Sequence, residues 1–157
     1  MKKKITVILI FILSMASIGA VRAREVYRNE TRDVNGVIYH IADGTPFTGK
    51  MKDMKDRHYY LDGRPHGKWI KFHPSGSIKS IENWSEGRLN GKYTIYQEDG
   101  KKIMETTYLN GKDNGQYILY HTNGKIKMRG QMRNGQAYGV WDHYDENGVA
   151  TKRTSTQ

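Results

Sequence analysis

The chain of 157 residues contains no cysteine and only three prolines. The missing cysteine excludes disulfide frameworks, cysteine-ligated zinc, iron–sulfur clusters and thiol catalysis. Leu, Ile, Val and Phe are also scarce, at about 15% of residues 24–157. Such a low content in a chain of high net charge usually indicates disorder. The 17 glycines, 11 tyrosines and 3 tryptophans argue against disorder, because their positions are regularly spaced.

The N-terminus has the three-part layout of a secretory signal peptide. Three lysines at positions 2–4 precede an apolar run from Ile5 to about Ile18, and Val21-Arg22-Ala23 forms a small-x-small cleavage site. The apolar run is short for a membrane span, although an uncleaved anchor is the alternative. We therefore predict that residues 1–23 are a signal peptide and that the mature chain is exported from a bacterium. The periplasm is the favoured location, with the cell surface or secretion as alternatives.

Removal of this segment lowers the net charge. The full chain has 26 basic and 16 acidic residues, a formal net charge of +10. Four of the basic residues lie in residues 1–23, so 22 basic and 16 acidic residues remain, a net charge of +6. Such a surface favours acidic partners such as anionic lipid, polyanionic glycan or an acidic protein, although ordinary solubility also explains it. We expect no nucleic-acid partner, because the basic residues form no continuous stripe.

A repeat of 24 residues is the most informative feature of the sequence. At this period, twelve of the 17 glycines fall into three columns. The first two columns open and close a G-x-x-x-G loop, and the third follows a turn residue. We assign a structural role to the second and third columns. In order, the columns are Gly63, Gly87, Gly111 and Gly135; Gly67, Gly91, Gly115 and Gly139; and Gly76, Gly100, Gly124 and Gly148.

Aromatic residues follow the same period. Two columns lie two and five residues after the closing glycine, and a weaker one lies three residues before the opening glycine. Because successive side chains of a strand point to opposite faces, we expect the first two columns to lie on opposite faces of a sheet. The columns are Trp69, Tyr93, Tyr117 and Trp141; Phe72, Tyr96, Tyr120 and Tyr144; and Tyr60, Trp84, Tyr108 and Met132.

Each unit is predicted to be a β-hairpin. Four pairs of a turn residue and glycine are typical of two-residue type I′ turns, and the G-x-x-x-G segment connects successive hairpins. The sequence therefore predicts an all-β fold in which tandem 24-residue hairpins form one long antiparallel sheet. The turn pairs are Ser75-Gly76, Asp99-Gly100, Asn123-Gly124 and Asn147-Gly148.

The boundaries of the repeat region are uneven. Residues 24–42 are expected to form an N-terminal cap or edge segment, and residues 43–62 a degenerate repeat with a shortened hairpin. Regular repeats occupy residues 63–148. The polar segment 149–157 is expected to be a disordered tail.

The pattern G-x-x-x-G-x-[WY]-x-x-[FY]-x-x-x-G resembles the MORN repeat, in the bacterial variant of proteins labelled YwqK-family antitoxins. Residues 67–72, 91–96, 115–120 and 139–144 carry the resemblance, which covers roughly residues 43–148. It implies stacked β-hairpins in an elongated, twisted sheet. It also implies a non-catalytic role in binding protein partners, contacting membrane lipids, or acting as an antitoxin or immunity protein. An exported member would suit immunity in the periplasm.

Two sets of side chains are candidates for binding. Tyrosine and tryptophan suit interfaces, so one aromatic column is expected to contact a partner, unless it serves only to hold the sheet together. Lysines that follow glycines suggest a basic edge for acidic lipid or a partner, although such lysines also discourage edge-to-edge aggregation. The predicted partner-binding residues are Trp69, Tyr93, Tyr117 and Trp141. The lysines are Lys50, Lys68, Lys92, Lys112 and Lys125.

Patterns for catalysis and metal binding are missing from the sequence. Six histidines are scattered, and only His73 and His121 occupy equivalent repeat positions. No H-E-x-x-H, phosphate loop or nucleophile elbow occurs. We therefore predict no enzyme, no cofactor and no metal site. Two function classes remain: a protein-binding module, foremost a periplasmic antitoxin or immunity protein against a toxin, and an envelope or surface protein that contacts lipid, glycan or a host surface.

Overall fold

A computed structural model describes residues 24–156. The signal peptide predicted for residues 1–23 lies outside this range. The described chain is almost entirely β, with a single 3-10 turn at Arg28–Glu30. Within residues 24–156, no helix has the length and apolar character needed to cross a membrane.

Sixteen strands form one sheet of fourteen strands and one separate hairpin of two. The predicted all-β fold of tandem hairpins in one large sheet is confirmed. The strands are β1 (Arg24–Tyr27), β2 (Thr31–Val34), β3 (Val37–His40), β4 (Gly49–Asp53), β5 (Asp56–Leu61), β6 (Arg64–Pro65), β7 (Gly67–Phe72), β8 (Ile78–Ser85), β9 (Arg88–Leu89), β10 (Gly91–Tyr96), β11 (Lys102–Leu109), β12 (Lys112–Asp113), β13 (Gly115–Tyr120), β14 (Ile126–Arg133), β15 (Gln136–Tyr144) and β16 (Ala150–Thr156).

The large sheet follows the chain with few exceptions. Its order is β1-β4-β5-β7-β8-β10-β11-β13-β14-β15-β16, and each of the short strands β6, β9 and β12 pairs with the long strand before it. Strand β1 runs parallel to β4. The other pairs are antiparallel, as hairpin connections require. The separate hairpin, β2–β3, lies over one face of the sheet and is called the cap hairpin below.

The two kinds of turn are exchanged relative to the sequence prediction. Positive φ at both central residues, the type I′ geometry, occurs at the opening glycines, in Asp62-Gly63, Glu86-Gly87, Asn110-Gly111 and Asn134-Gly135. At the third glycine column only the glycine has positive φ, and the strand after it contains a bulge with one extra residue. An Asn-Gly pair occurs in both kinds of turn, so the amino-acid composition could not distinguish them. At the third glycine column, the extra residue in the bulge makes the connection a longer loop instead of a two-residue turn.

Hydrogen bonds join each repeat to the next at both ends of the hairpins. At one end, the opening glycine donates its N–H to a carbonyl of the preceding repeat, as from Gly87 to Pro65 at 3.0 Å and from Gly111 to Leu89 at 2.8 Å. At the other end, His121 Nε2 donates to the Tyr144 carbonyl at 2.9 Å. Since these bonds span about one period, each unit depends on its neighbours for stability.

The segment expected to be a disordered tail instead forms β16, which pairs with β15 along most of its length. Arg153 Nε donates to Asp142 Oδ1 at 2.7 Å, which anchors the strand. A polar, threonine-rich segment suits this place because an edge strand needs few apolar side chains. The last hairpin is therefore complete.

The core lies at the N-terminal end of the sheet, beneath the cap hairpin. There the exposed fractions of Phe47 and Met51 fall to 1% each. Backbone bonds hold the cap hairpin down, since Ile38 N–H donates to the Gly63 carbonyl at 2.8 Å. The core residues are Val26, Ile38, Phe47, Met51, Tyr60 and Trp69, with Trp84 packed against them.

A close approach in the last repeats depends on a glycine. Gly130 is paired with Tyr117, and a Cβ at this position would overlap the indole of Trp141. We expect Gly130→Ala to lower the free energy of unfolding by about 1–3 kcal/mol, because the indole must move. Urea denaturation measures this. Gln131→Ala, on the exposed neighbouring residue, is the control and should change it by less than about 0.5 kcal/mol. An unchanged midpoint for Gly130→Ala would contradict the packing described.

A buried histidine should make the stability depend on pH. His58 stacks on Trp69 with ring centroids 4.2 Å apart, and both of its ring nitrogens lack a hydrogen-bond partner. Burial lowers the pKa of His58 in spite of the nearby Asp56 carboxylate, which raises it. The unfolded chain therefore binds this proton more readily, so the free energy of unfolding should fall as the pH drops below about 6.5.

Urea denaturation at pH 7.5, 6.5 and 5.5 checks this prediction. His58→Phe should flatten the pH dependence over this range, because the ring that must stay uncharged is gone. A flat profile for the unaltered chain, or an equal slope in the variant, would show that burial of His58 does not cause the effect. The carboxyl groups whose pKa is lowered, such as that of Glu105, act in a separate range below about pH 4.5.

Candidate protein-binding face

One face of the sheet carries a largely apolar surface from β8 to β15, on which Glu82, its partner Lys71 and Asp113 are the charged residues. Side chains of paired residues share a face, so the pairs Ile95–Met104, Met104–Leu119 and Leu119–Met128 form one continuous row. Aromatic side chains two residues away on the same strands lie beside this row. We define the open face as Trp84, Tyr93, Ile95, Met104, Tyr108, Tyr117, Leu119, Met128, Met132 and Trp141.

The open face is partly accessible to solvent. Nine of its ten residues are half-buried, and Trp141 is buried at 5% exposure. Within the part of the chain that the structure describes, no second layer covers this face beyond the cap hairpin. The open face is therefore available for contact along five strands, β8, β10, β11, β13 and β14.

The four predicted partner-binding residues share this face of the sheet, but only two of them are accessible. Trp69 is 8% exposed beneath the cap hairpin, and its Nε1 donates to the Tyr59 carbonyl at 2.7 Å. Trp141 packs over Gly130. Tyr93 and Tyr117 are half-buried on the open face. Trp69 and Trp141 thus stabilise the fold in this structure.

Sequence reasoning missed four of the ten residues of the open face. The row of Ile95, Met104, Leu119 and Met128 was not identified, although each residue lies at an even spacing from a residue of an aromatic column on the same strand, which for Met128 is Met132. Alternation within a strand was the signal that could have found it. The weaker column with Trp84 and Tyr108 was recognised in the sequence, but it was not assigned to binding.

The aromatic rings of the open face also contact one another and thereby stabilise the sheet. Ring centroids are 5.1 Å apart for Trp69–Trp84, 5.6 Å for Tyr93–Tyr108 and 5.7 Å for Tyr117–Trp141. Such cross-strand pairs contribute roughly 0.5–1.5 kcal/mol each beyond the area that they bury. The aromatic columns therefore hold the sheet together and also form its apolar face.

The carboxylates near the open face are paired within the chain, whereas the buried Nε1 of Trp141 has no hydrogen-bond partner. The buried Glu82 carboxylate accepts from Trp84 Nε1 at 2.9 Å and pairs with Lys71 at 2.8 Å. Asp113, at the margin, accepts from Thr106 Oγ1 at 2.9 Å. Burial, together with the Asp113 carboxylate, raises the pKa of Tyr108 to about 12. No unpaired charge therefore has to be desolvated when this surface is covered.

The other face of the sheet is charged. Tyr120 Oη donates to Glu105 at 2.6 Å, and Lys92 and Lys102 pair with the same carboxylate. These contacts hold the pKa of Glu105 at about 2 against the effect of its burial. Tyr120 thus lies on the face opposite Tyr117, as the spacing of the aromatic columns predicted.

The five candidate lysines do not form one surface. Lys50 and Lys68 line a shallow cavity of about 400 Å³ on the charged face, together with Arg57. Lys92 lies next to them and is paired with Glu105. The remaining two are separate from this group: Lys112 lies on the short strand β12, and Lys125 Nζ donates to the Asn147 carbonyl at 3.1 Å.

The sequence profile of the MORN repeat variant matches residues 65–86, 89–110 and 113–134. The chain contains MORN repeats of the variant type. The resemblance seen in the sequence is thereby confirmed for three consecutive units. These MORN repeats carry nine of the ten residues of the open face, all except Trp141. MORN repeats in general are non-catalytic binding modules, so the open face belongs to a part of the chain of that type.

Two solved structures show a limited likeness to this MORN-repeat chain. One is the glycosylation associate protein (Gap123) complex from Streptococcus agalactiae, with 16% identity and a TM-score of 0.39 over 80% of this chain and 22% of that chain. The other is the GtfA/B complex, with 16% identity and a TM-score of 0.37 over 62% of this chain and 20% of that one. The MORN-repeat chain thus spans about a fifth of each. No curated protein sequence matches it.

The histidines of the MORN repeats have structural contacts. His73 Nε2 donates to the Tyr96 carbonyl at 3.0 Å, as His121 does in the unit two periods further on. Among residues 24–156, no group of three or more His, Cys, Asp or Glu side chains could hold a metal ion. The column of equivalent histidines therefore joins neighbouring repeats.

Proposed function

We propose that this chain is an exported protein-binding module and that a protein partner docks on the open face. The observation that carries the proposal is a continuous patch of ten apolar and aromatic side chains, in a chain in which 27% of the residues are charged. The charged groups on the same face are held within the chain, since Glu82 pairs with Lys71 and Asp113 accepts from Thr106. A surface of this kind on a single-layer sheet is characteristic of an interaction site.

The chemistry of the open face supports a protein partner. Its aromatic residues, Trp84, Tyr93, Tyr108 and Tyr117, offer large contact areas with few rotatable bonds. Strands on both sides hold these rings in place, so little conformational entropy is lost when a partner binds. Methionines beside them adapt to the shape of the partner.

The proposed location is the periplasm, and the proposed role there is that of an antitoxin or immunity protein. The layout of residues 1–23 supports export. Immunity against an envelope toxin requires tight binding of a single partner. One continuous apolar face offers one large binding site for such a partner. In this proposal the toxin is occluded by contact with the open face, without any chemical step.

A second candidate function is contact with anionic lipid or glycan through the charged face. The observation that favours it is the shared cavity of Lys50, Arg57 and Lys68. Binding of this kind depends on exposed charges, which are screened beyond about 10 Å at 0.1 M salt. It should therefore weaken steeply as the salt concentration rises, in contrast to docking on the open face.

Partner capture by matched variants tests the protein-binding proposal. Residues 24–157 with a C-terminal tag are incubated with a lysate of the source organism and its neighbours at low and high salt. Tyr117→Ala should weaken retention of the partner at least tenfold, about 1.4 kcal/mol, because it removes an aromatic contact. The control is Tyr120→Ala, which truncates the same residue type on the charged face of the same strand.

The outcomes separate the two candidate functions. Retention that survives high salt and is lost only in Tyr117→Ala supports docking on the open face. Binding that salt removes and that Lys68→Glu weakens supports the charged face instead. Equal retention by both tyrosine variants at high salt would contradict the assignment of the open face.

Export is tested separately. Deletion of residues 2–23 should leave the chain in the cytoplasm, because the charged and apolar segments that direct secretion are lost. Fractionation of cells that express both forms measures this, with the size of the exported form as a second readout. If the deleted form still reached the envelope, residues 1–23 would not be the export signal.

A further inference from the structure

We propose that the open face also associates with the open face of a second copy of this chain. The inference rests on the proposed function, since it assigns a second occupant to the same surface. It makes self-association and partner binding mutually exclusive, because both cover the same ten side chains.

The cap hairpin covers this face of the sheet at its N-terminal end. Beneath it, Met51 and Tyr60 are only 1% and 5% exposed. Beyond it, equivalent side chains such as Tyr108 are half-buried and no second β-layer follows in the described residues. Another copy of the open face supplies an apolar β-surface of the same length and chemistry. Two sheets can pack face to face at about 10 Å.

The size of the open face suits a weak dimer. Five strands at about 4.8 Å spacing span about 24 Å, and six residues per strand span about 20 Å. Each copy thus contributes roughly 500 Å², and the pair buries roughly 1,000 Å², about the least that a specific interface needs. The dimer should therefore depend on protein concentration and should give way to a tighter partner.

Charge permits close approach of two copies only on this side of the sheet. The net charge of residues 24–157 is positive, and the other face carries Arg57, Lys68 and Lys92, which would repel a second copy. Three charged residues, Lys71, Glu82 and Asp113, share this face by strand register. Glu82 pairs with Lys71 in its own chain, and Asp113 accepts a hydrogen bond from Thr106 Oγ1. Apolar contact can therefore form without like charges facing each other.

A two-fold arrangement is the simplest way to pair two open faces. An axis through the centre of the face brings the same residues together in both copies, as an isologous interface requires. The cap hairpin lies towards one end of the face, and β16 is the edge strand at the other end.

Sedimentation velocity of residues 24–157 from about 1 to about 500 μM tests the inference, since a weak dimer of this size has a micromolar or weaker dissociation constant. The unaltered chain should shift from monomer to dimer with concentration. Leu119→Glu places a charge on the open face and should raise the dissociation constant at least tenfold. Ile118→Glu is the control, because the neighbouring residue lies on the other face of β13.

A second pair of variants keeps the test valid if Leu119→Glu fails to fold. Met128→Lys keeps an unbranched side chain on the open face and adds a charge, and Gln131→Lys adds the same charge on the other face of β14. Circular dichroism establishes that each variant is folded before sedimentation. The inference predicts that Met128→Lys weakens the dimer and that Gln131→Lys does not.

The outcomes distinguish this inference from the proposed function. A monomer at every concentration, or a dimer that persists in Leu119→Glu and Met128→Lys, would overturn the inference. If Tyr117→Ala still lost a captured partner in that case, docking on the open face would stand. Loss of the dimer in both open-face variants, with no partner captured, would support self-association and overturn the function proposed for the face.

Discussion

Cross-strand contact between side chains is the interaction on which this structure depends. A single-layer sheet has no second layer to bury its side chains over most of its length, so stabilisation must come from neighbours in the sheet. Ring contacts supply it, diagonally between neighbouring strands in Tyr93–Tyr108 and across Gly130 of the strand between them in Tyr117–Trp141. These contacts leave the outer surface of the same side chains exposed. The features that stabilise the sheet thereby also produce a surface for binding.

The register of the repeat keeps the two faces of the sheet chemically distinct. Each period inserts a type I′ turn at one end and a bulged loop at the other, so equivalent residues return to the same face in every unit. A shift by one residue would exchange the faces and mix charged with apolar side chains. Glycines with positive φ and bonds between neighbouring repeats oppose such a shift. The largely apolar character of the open face is therefore a consequence of the turn geometry.

Much of the fold followed from the sequence, because glycine spacing and alternation are local properties. The 24-residue period, the hairpins and the opposite placement of Tyr117 and Tyr120 were all predicted correctly. The turn types were exchanged, since Asn-Gly pairs occur in both kinds of turn. The segment 149–157 was expected to be disordered because it is polar, yet pairing with β15 makes Ala150–Thr156 a strand. Of the predicted binding residues, Tyr93 and Tyr117 are accessible, whereas Trp69 and Trp141 are buried.

The sequence by itself determined the repeat, the hairpin architecture and the face on which each aromatic column lies, since these depend on spacing along one chain. Only the tertiary structure decided which of those side chains a partner can reach. Accessibility depends on which neighbours pack against a residue, and those neighbours come from other parts of the chain. Trp69 packs into the N-terminal core against His58 and Tyr60, and Trp141 packs over Gly130, while Tyr93 and Tyr117 of the same column stay accessible. Contacts of this kind have no signature in a repeat pattern, because the pattern treats equivalent positions as equal.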